Sequence, residues 1–236
     1  MNAFAYTFKL WRQNLEKQSV EKCTRPEEKI RARSDDEKAR VRAAIISAGR
    51  ELFAREEPEQ VSLRRVAAAA GYAPAAIYRY FKHQEDLFTQ IREHDMLEAA
   101  HALCTLIERK RDPRQRVLAL YIGTADYWLE RMDAFLVLFP PARASRPLQD
   151  QDHPFARSPG VLRLLGLYYG TVKDLFGTLP RAPMPHRLAA DTLLAGVHGS
   201  LVFPLMTPSM EWSDRREMVK RLVTSTVSHW APAPRR

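Results

Sequence analysis

The sequence has few cysteines, few glycines and no long apolar run. Its 236 residues include 2 cysteines, and thiols as far apart as Cys23 and Cys104 make neither a disulfide framework nor a finger-type zinc site. We therefore expect a reducing, cytoplasmic compartment. The 9 glycines form no phosphate-binding loop. The longest apolar candidate, residues 134–139, is far shorter than the roughly 18 residues of a membrane span, so no membrane segment is expected.

The charge balance is basic. The chain carries 37 Lys+Arg against 28 Asp+Glu, a formal net charge of +9. This charge suits a polyanionic partner but does not distinguish DNA from RNA or from a membrane surface. The apolar fraction of 45% is sufficient for a packed core, and the length allows one large domain or two small ones.

Two helices are predicted before residue 71. The first begins at Ser34, whose hydroxyl can cap it, and ends before Pro58, because proline disfavours helical geometry in the preceding residue. The second is capped by Ser62. Three- and four-residue spacing predicts that the first helix is buried through Val41, Ile45, Ala48 and Leu52, and the second through Leu63, Val66, Ala67 and Ala70.

A tight turn and a third short helix follow. Gly71 supplies a backbone conformation that other residues adopt only with strain, and Pro74 suits the first turn of a helix. Ile77 and Phe81 lie four residues apart and are predicted to face the core. Two short helices joined by such a turn form a helix-turn-helix, whose second helix has the size to enter a major groove. We therefore expect sequence-specific binding of double-stranded DNA.

The same region resembles the tetracycline-repressor (TetR) family. The resemblance is carried by residues 44–53, the alanine-rich helix 63–70, residues 70–81 and the sequence Glu85-Asp86-Leu87, and it covers about residues 40 to 90. It implies an all-α homodimer with an amino-terminal DNA-binding domain of three helices and a larger helical domain that binds an effector and forms the dimer. It also implies a repressor that a small molecule releases from a palindromic operator, although activators occur in the family.

Positions matching the family motif give the DNA-contact candidates. Arg64 on the second helix is a base-contact candidate, and Arg79 is the side chain best suited to bidentate recognition of guanine. Lys82 is a phosphate-contact candidate. Gln84 stands where relatives commonly have lysine, which removes one charge from a phosphate contact that the resemblance implies. The predicted DNA-binding residues are Arg64, Ala73, Pro74, Ala75, Ala76, Tyr78, Arg79, Tyr80 and Lys82.

The rest of the chain is predicted to be helical. Helices are predicted over about 84–110, 113–132, 161–179, 186–206 and 214–230, the last capped by Ser213, with a short apolar piece at 134–139 and a proline-rich loop at 140–159. Large side chains concentrate here, which is typical of an apolar cavity with a few polar anchors. We therefore expect a lipophilic or aromatic effector. The predicted pocket residues are Tyr121, Thr124, Trp128, Phe135, Tyr168, Tyr169, His198 and Phe203.

These patterns predict four segments. Residues 1–35 are expected to be a disordered basic extension, 36–84 the DNA-binding domain, 85–230 the effector-binding and dimerisation domain, and 231–236 a disordered tail. Small residues on the helix 186–206 suggest close approach of another helix, in a self-complementary interface made by the last two long helices. They are Ala189, Ala190, Gly196, Gly199 and Ser200.

Other classes of function are less favoured. A metal site would rest on His94, His101 and Cys104, but no further ligand completes the set at a convincing spacing, so neither a metal nor another cofactor is expected. No serine or cysteine sits in a nucleophile motif, so the sequence does not indicate an enzyme. An architectural DNA-binding protein without an effector, or an activator, remains an alternative.

Overall fold

A computed structural model describes residues 33–56, 60–139 and 157–232. These residues form nine α-helices and no strand, which confirms the predicted all-α class. The first five helices are α1 (Arg33–Arg55), α2 (Leu63–Ala69), α3 (Pro74–Ile77), α4 (Gln84–Glu108) and α5 (Pro113–Leu129). The other four are α6 (Met132–Leu138), α7 (Pro159–Gly177), α8 (His186–Met206) and α9 (Arg215–Trp230).

The chain divides into two compact units. One contains the described residues up to Met96 and those between Arg131 and Ser158, and therefore α1 to α3, the first half of α4, and α6. The other contains Leu97–Glu130 and the described residues from Pro159 onwards. The sequence placed α6 with the carboxy-terminal helices, whereas it packs against α1 in the first unit. The functional domain limits of 36–84 and 85–230 remain predictions.

The first unit is built around an apolar core shared by α1, α2 and α4. Gly49 on α1 lets the helices approach closely, since a Cβ atom there would lie 2.9 Å from Ile91 Cδ1 and 3.3 Å from Leu87 Cδ2. The predicted stripe on α1 is displaced, because Ile46 and Phe53 are buried with Ile45 while Val41, Ala48 and Leu52 are only partly covered. On α2 the predicted burial of Leu63, Val66 and Ala67 is confirmed, and Ala70 is partly buried.

The second unit is a bundle of α5, α7, α8 and α9, in which α5 and α8 each pack against the other three helices. Gly196 permits close packing of α8 on α9, because a Cβ atom there would lie 2.6 Å from Leu222 Cδ2. Ala189 and Ala190 are fully buried. At these three positions the small residues therefore serve packing within the unit, whereas Gly199 is exposed.

Most helix limits agree with the local signals. Residues 186–206 form α8 as predicted, and Asp112 caps α5 by accepting the Arg114 N–H at 3.2 Å. The prediction that Ser213 caps the last helix was wrong. Asp214 does so, and its carboxylate accepts the Glu217 N–H at 2.9 Å. A serine and an aspartate in succession are equivalent as sequence signals, and only the backbone geometry selects one.

At the chain ends the predicted limits of helix and tail differ more from the observed ones. Helix α1 begins at Arg33, one residue before the expected cap. Ala231, expected in the disordered tail, is buried, and its carbonyl accepts a hydrogen bond from Arg114 at 3.2 Å. The expected extension up to residue 32, the loop at 140–156 and the last four residues lie outside the described residues.

Within the described ranges one helix, α8, is long and apolar enough by length and composition to cross a membrane. It carries Arg187, Asp191 and His198, and it packs against α5, α7 and α9. Only 28% of this apolar segment is buried within the protein, but a single such helix is weak evidence for a membrane span, so it does not overturn the expectation of no membrane segment.

Candidate nucleic-acid interface

The start of α2 is fixed by a side-chain cap. The Ser62 backbone is extended, and its hydroxyl oxygen accepts the Arg65 N–H at 3.3 Å, as the sequence predicted. This bond satisfies one of the amide groups that a helix leaves unpaired at its first turn. Since Leu63 and Val66 are buried, the adjacent Arg64 and Arg65 face outward.

The turn after α2 depends on Gly71. Its φ angle is +77°, in the left-handed region that favours glycine. The Gly71 N–H donates to Ala68 O at 3.1 Å and the Tyr72 N–H donates to Ala67 O at 2.8 Å. These two bonds close the helix and direct the chain into the third helix of the motif.

The third helix is very short. α3 spans only Pro74–Ile77, and Ala73 provides no side-chain cap. Turns follow, in which the Tyr80 N–H and the Phe81 N–H both donate to Ile77 O, at 2.9 and 3.0 Å. Ile77 and Phe81 are completely buried, as predicted. This recognition segment, residues 73–82, is therefore held by its two buried side chains as much as by helical hydrogen bonds.

Most of the predicted DNA-binding residues are exposed on the first unit. Tyr78 is 52% exposed, and Arg64, Ala73, Pro74, Ala75, Arg79 and Lys82 are exposed as well. Ala76 and Tyr80 are half-buried, and Tyr80 packs against the core. The side chains of Arg64, Arg79 and Lys82 make no hydrogen bond or ion pair with any residue that the structure describes. Three cations are thus available to an external anion.

Arg65 behaves differently from Arg64. Its guanidinium donates to both carboxylate oxygens of Glu56, at 2.5 and 2.8 Å, and to Gln60 O at 2.7 Å. The hydrogen bond and the charge of Glu56 raise the pKa of Arg65. Arg65 is therefore bound to the connection between α1 and α2.

The recognition segment is joined to α4 by a reciprocal cap. The Asp86 carboxylate accepts the Lys82 N–H at 3.1 Å and Gln90 Nε2–H at 2.7 Å, while the Asp86 N–H donates to His83 Nδ1 at 3.1 Å. Burial disfavours the ionised carboxylate, but the hydrogen bonds from Gln90 and Lys82 and the neighbouring positive charges outweigh it and lower the pKa of Asp86.

A further ion pair joins α1 to α4 in the first unit. Asp95 on α4 is buried and accepts two hydrogen bonds from Arg50 on α1, one of them at 3.1 Å. His94, Asp95 and Glu98 place ligand atoms within 4.8 Å of one another, the spacing of a candidate metal site. Because Asp95 already pairs with Arg50, a metal ion at this group would have to displace that ion pair.

Three of the predicted pocket residues lie together in the second unit. The Tyr121 and Tyr168 rings are 5.1 Å apart, and the hydroxyl oxygens of Thr124 and Tyr168 are 2.8 Å apart. All three side chains are buried. Burial raises the pKa of both tyrosines, so their hydroxyls remain protonated.

The other predicted pocket residues are more dispersed. Trp128 is buried beside Tyr127, with ring centroids 4.9 Å apart, and Tyr169 donates to the Asp191 carboxylate at 2.8 Å. His198 Nδ1 lies 3.1 Å from Leu194 O, and burial lowers its pKa despite this contact. Phe203 is 51% exposed. Phe135 belongs to the first unit, where it is buried beside Phe139.

Sequence inspection missed the ion-pair partners in the first unit. Glu56 is nine residues from Arg65, and Asp95 is 45 residues from Arg50. Neither spacing is a helical repeat, so no local pattern indicates the pairs. Asp86 could have been found, because histidine followed three residues later by aspartate at a predicted helix start resembles a capping box.

Comparison with known proteins agrees with this geometry. Residues 45–91 match the family model of bacterial regulatory proteins of the tetR family. This range begins in α1, includes the whole helix-turn-helix and ends in α4. No curated protein matches the chain significantly.

Solved structures share the fold at low sequence identity. FadR from Bacillus subtilis in complex with stearoyl-CoA is 18% identical with a TM-score of 0.62, covering 80% of this chain and 97% of that protein. FadR from Bacillus halodurans is 16% identical with a TM-score of 0.60, covering 88% and 100%. A transcriptional regulator from Pseudomonas aeruginosa PAO1 is 19% identical with a TM-score of 0.64, covering 81% and 90%.

An all-helical chain with an exposed basic helix-turn-helix is a DNA-binding transcriptional regulator. The residues that form that motif match the tetR family of bacterial regulatory proteins over 45–91.

Replacing Asp86 should weaken the reciprocal cap. Asp86→Ala is expected to lower the free energy of unfolding by about 1 kcal/mol at pH 7, because two hydrogen bonds at the start of α4 are lost. Since the pKa of Asp86 is lower in the folded protein, its ionised form stabilises the fold above the ordinary pKa of 3.8, and this contribution is lost as the pH falls through the lowered value. Urea unfolding at several pH values measures the difference.

Glu85→Ala is the matched control, because Glu85 is an exposed carboxylate in the same turn. The difference in the free energy of unfolding between Asp86→Ala and the wild-type protein should become smaller at acidic pH. A difference that stays constant at all pH values would refute the assigned role of the carboxylate.

Proposed function

We propose that the chain is a homodimeric repressor, not an enzyme, that binds a palindromic operator and is released by a lipophilic or aromatic effector. The observation that carries the DNA-binding part is the set of unengaged cations on the helix-turn-helix. Arg64, Arg79 and Lys82 are exposed, and their side chains make no hydrogen bond or ion pair with any described residue. A basic surface that is not neutralised internally suits the DNA backbone.

Different roles follow from the chemistry of these side chains. The planar guanidinium of Arg79, in the recognition segment, suits two hydrogen bonds to guanine O6 and N7, and Arg64 is the second candidate for a base contact. Lys82 and the hydroxyls of Tyr78 and Tyr80 suit phosphate oxygens. Ala73, Pro74, Ala75 and Ala76 present apolar atoms that suit a thymine methyl group.

Arg79→Ala is expected to relax preference at one base pair, at a cost of about 1–3 kcal/mol for the preferred sequence. Lys82→Ala is expected to weaken binding to all sequences and to reduce the slope of log affinity against log salt by about one. Selection of bound sequences from random duplex DNA at two salt concentrations measures both effects. Equal losses for both variants on every sequence would contradict the two roles.

Dimerisation is proposed through the exposed face of α8. Leu188, Phe203 and Met206 are large apolar side chains about half exposed, and Ala195 and Gly199 are exposed between them. Their spacing of three to four residues or its multiples places them on one side of the helix. An apolar stripe interrupted by small residues suits a second copy of the same helix. Two such subunits space recognition helices about 34 Å apart or a multiple of it.

Phe203→Glu is expected to shift the protein from dimer to monomer at micromolar concentration, because a carboxylate replaces an apolar side chain in the proposed contact. Size-exclusion chromatography with light scattering measures the mass. Lys173→Glu on α7 is the matched control, because it introduces the same side chain at an exposed position of the same unit. An unchanged dimer in Phe203→Glu would exclude this face.

The effector is proposed to enter the second unit near Tyr121, Thr124 and Tyr168. Trp128, Tyr169 and His198 are proposed to contribute further along α5, α7 and α8. Aromatic rings around a few hydroxyl groups suit an apolar ligand with a polar head. FadR from Bacillus subtilis has a similar fold and its structure contains stearoyl-CoA, which makes this compound the first probe.

Stearoyl-CoA is expected to weaken operator binding by the wild-type protein. Tyr168→Phe should leave DNA affinity unchanged but reduce the response about fivefold, since one buried hydrogen bond of about 1 kcal/mol is removed. Titration of stearoyl-CoA into the protein–operator complex, followed by fluorescence anisotropy, measures the response. Thr171→Val is the control because it removes another buried hydroxyl from the same unit. No response to any lipophilic compound favours the effector-independent alternative.

A further inference from the structure

We infer that Glu56 is an intramolecular competitor of DNA for Arg65, and that it limits the affinity of the protein for DNA of any sequence. The inference rests on the proposed binding of duplex DNA. Glu56 itself contacts no base. The two adjacent arginines of α2 then differ, because Arg64 is available to DNA and Arg65 is held by Glu56.

The geometry sets Arg65 apart from its neighbour. The two terminal nitrogens of Arg65 donate to the two oxygens of Glu56, at 2.5 and 2.8 Å, in a paired fork. One of these nitrogens also donates to Gln60 O at 2.7 Å. Arg64 has no such partner in the described part of the chain. One arginine of the pair is therefore available to DNA and the other is occupied.

The occupied arginine lies where DNA phosphates are expected. In a helix-turn-helix the first helix of the motif crosses the sugar–phosphate backbone, and that helix is α2 here. The Arg65 side chain is 49% exposed and that of Glu56 is 23% exposed, so the pair is reached from solvent. A phosphate near the start of α2 therefore meets both partners of the pair.

A phosphodiester can replace Glu56 chemically. Carboxylate and phosphate each present two oxygens to a guanidinium, and both accept paired hydrogen bonds from arginine. Exposed ion pairs are weak because water and salt screen them. The ion pair with Glu56 therefore does not prevent Arg65 from binding a phosphate in its place. Exchange leaves the Glu56 carboxylate unpaired near the phosphates, and the resulting repulsion reduces the gain. Glu56 therefore opposes a contact that carries no sequence information.

The first variant is Glu56→Gln, which keeps the shape of the side chain and removes its charge. Its affinity for a mixed-sequence duplex of about 30 base pairs should rise roughly three- to tenfold at about 50 mM salt. The slope of log affinity against log salt should steepen by about one, as expected for one added phosphate contact. Fluorescence anisotropy between about 50 and 200 mM salt measures both quantities.

Arg65→Ala is the second variant, and together with Glu56→Gln it forms a double-mutant cycle. In the wild-type background it should change the affinity less than twofold, because Arg65 is occupied. In the Glu56→Gln background it should abolish the gain and restore the original salt slope. Arg65→Ala alone also tests the inference if Glu56→Gln does not fold, and thermal unfolding of each variant reports folding. A loss for Arg65→Ala as large as that for Arg64→Ala would overturn the inference.

Glu51→Gln is the matched control for net charge. Glu51 is an exposed carboxylate on α1 with no ion pair to any described residue, and its replacement changes the net charge by the same amount. An equal rise in affinity for Glu51→Gln, or no rise for Glu56→Gln, would overturn the inference. If the wild-type protein binds no duplex at low salt, the proposed function itself fails, which is a distinct result.

Discussion

The burial of Ile77 and Phe81 is the contact on which presentation of the recognition segment depends. A helix as short as Pro74–Ile77 has no independent stability, since helix formation requires a costly nucleus and many residues to repay it. Both side chains are fully buried in the core formed by α1, α2 and α4. The exposed residues between and around them are therefore positioned by tertiary packing, and their orientation follows the positions of α1 and α4.

The fold pairs some of the cations of the first unit with carboxylates and leaves others exposed without such a pair. Arg50 is paired with buried Asp95 and Arg65 with Glu56, whereas Arg64, Arg79 and Lys82 have no partner among the described residues. The formal charge of +9 consequently overstates the number of cations that can meet an anion. What matters for DNA recognition is which cations the packing leaves without a carboxylate, and that is a property of the folded chain.

Local signals allowed much of the fold and the exposed site to be predicted. Ser62, Gly71 and Pro74 act on the backbone within a few residues, so the cap, the turn and the helix start were correctly predicted. The pairing of Arg65 with Glu56, the burial of Ile46 and Phe53 and the exposure of Phe203 depend on which distant elements meet. Periodicity finds an apolar face, but it cannot fix the rotation of that face to within one residue.

The second unit places a physical constraint on the proposed effector. The hydroxyls of Thr124 and Tyr168 are paired with each other, and Thr124 also donates to Leu120 O at 2.8 Å. A ligand that uses these hydroxyls must replace existing bonds, so each such exchange contributes no more than about 1 kcal/mol. Affinity must then come mainly from burial of apolar surface, which grows with the area removed from water. A small polar metabolite lacks that area, whereas a long acyl chain or an aromatic ring system supplies it.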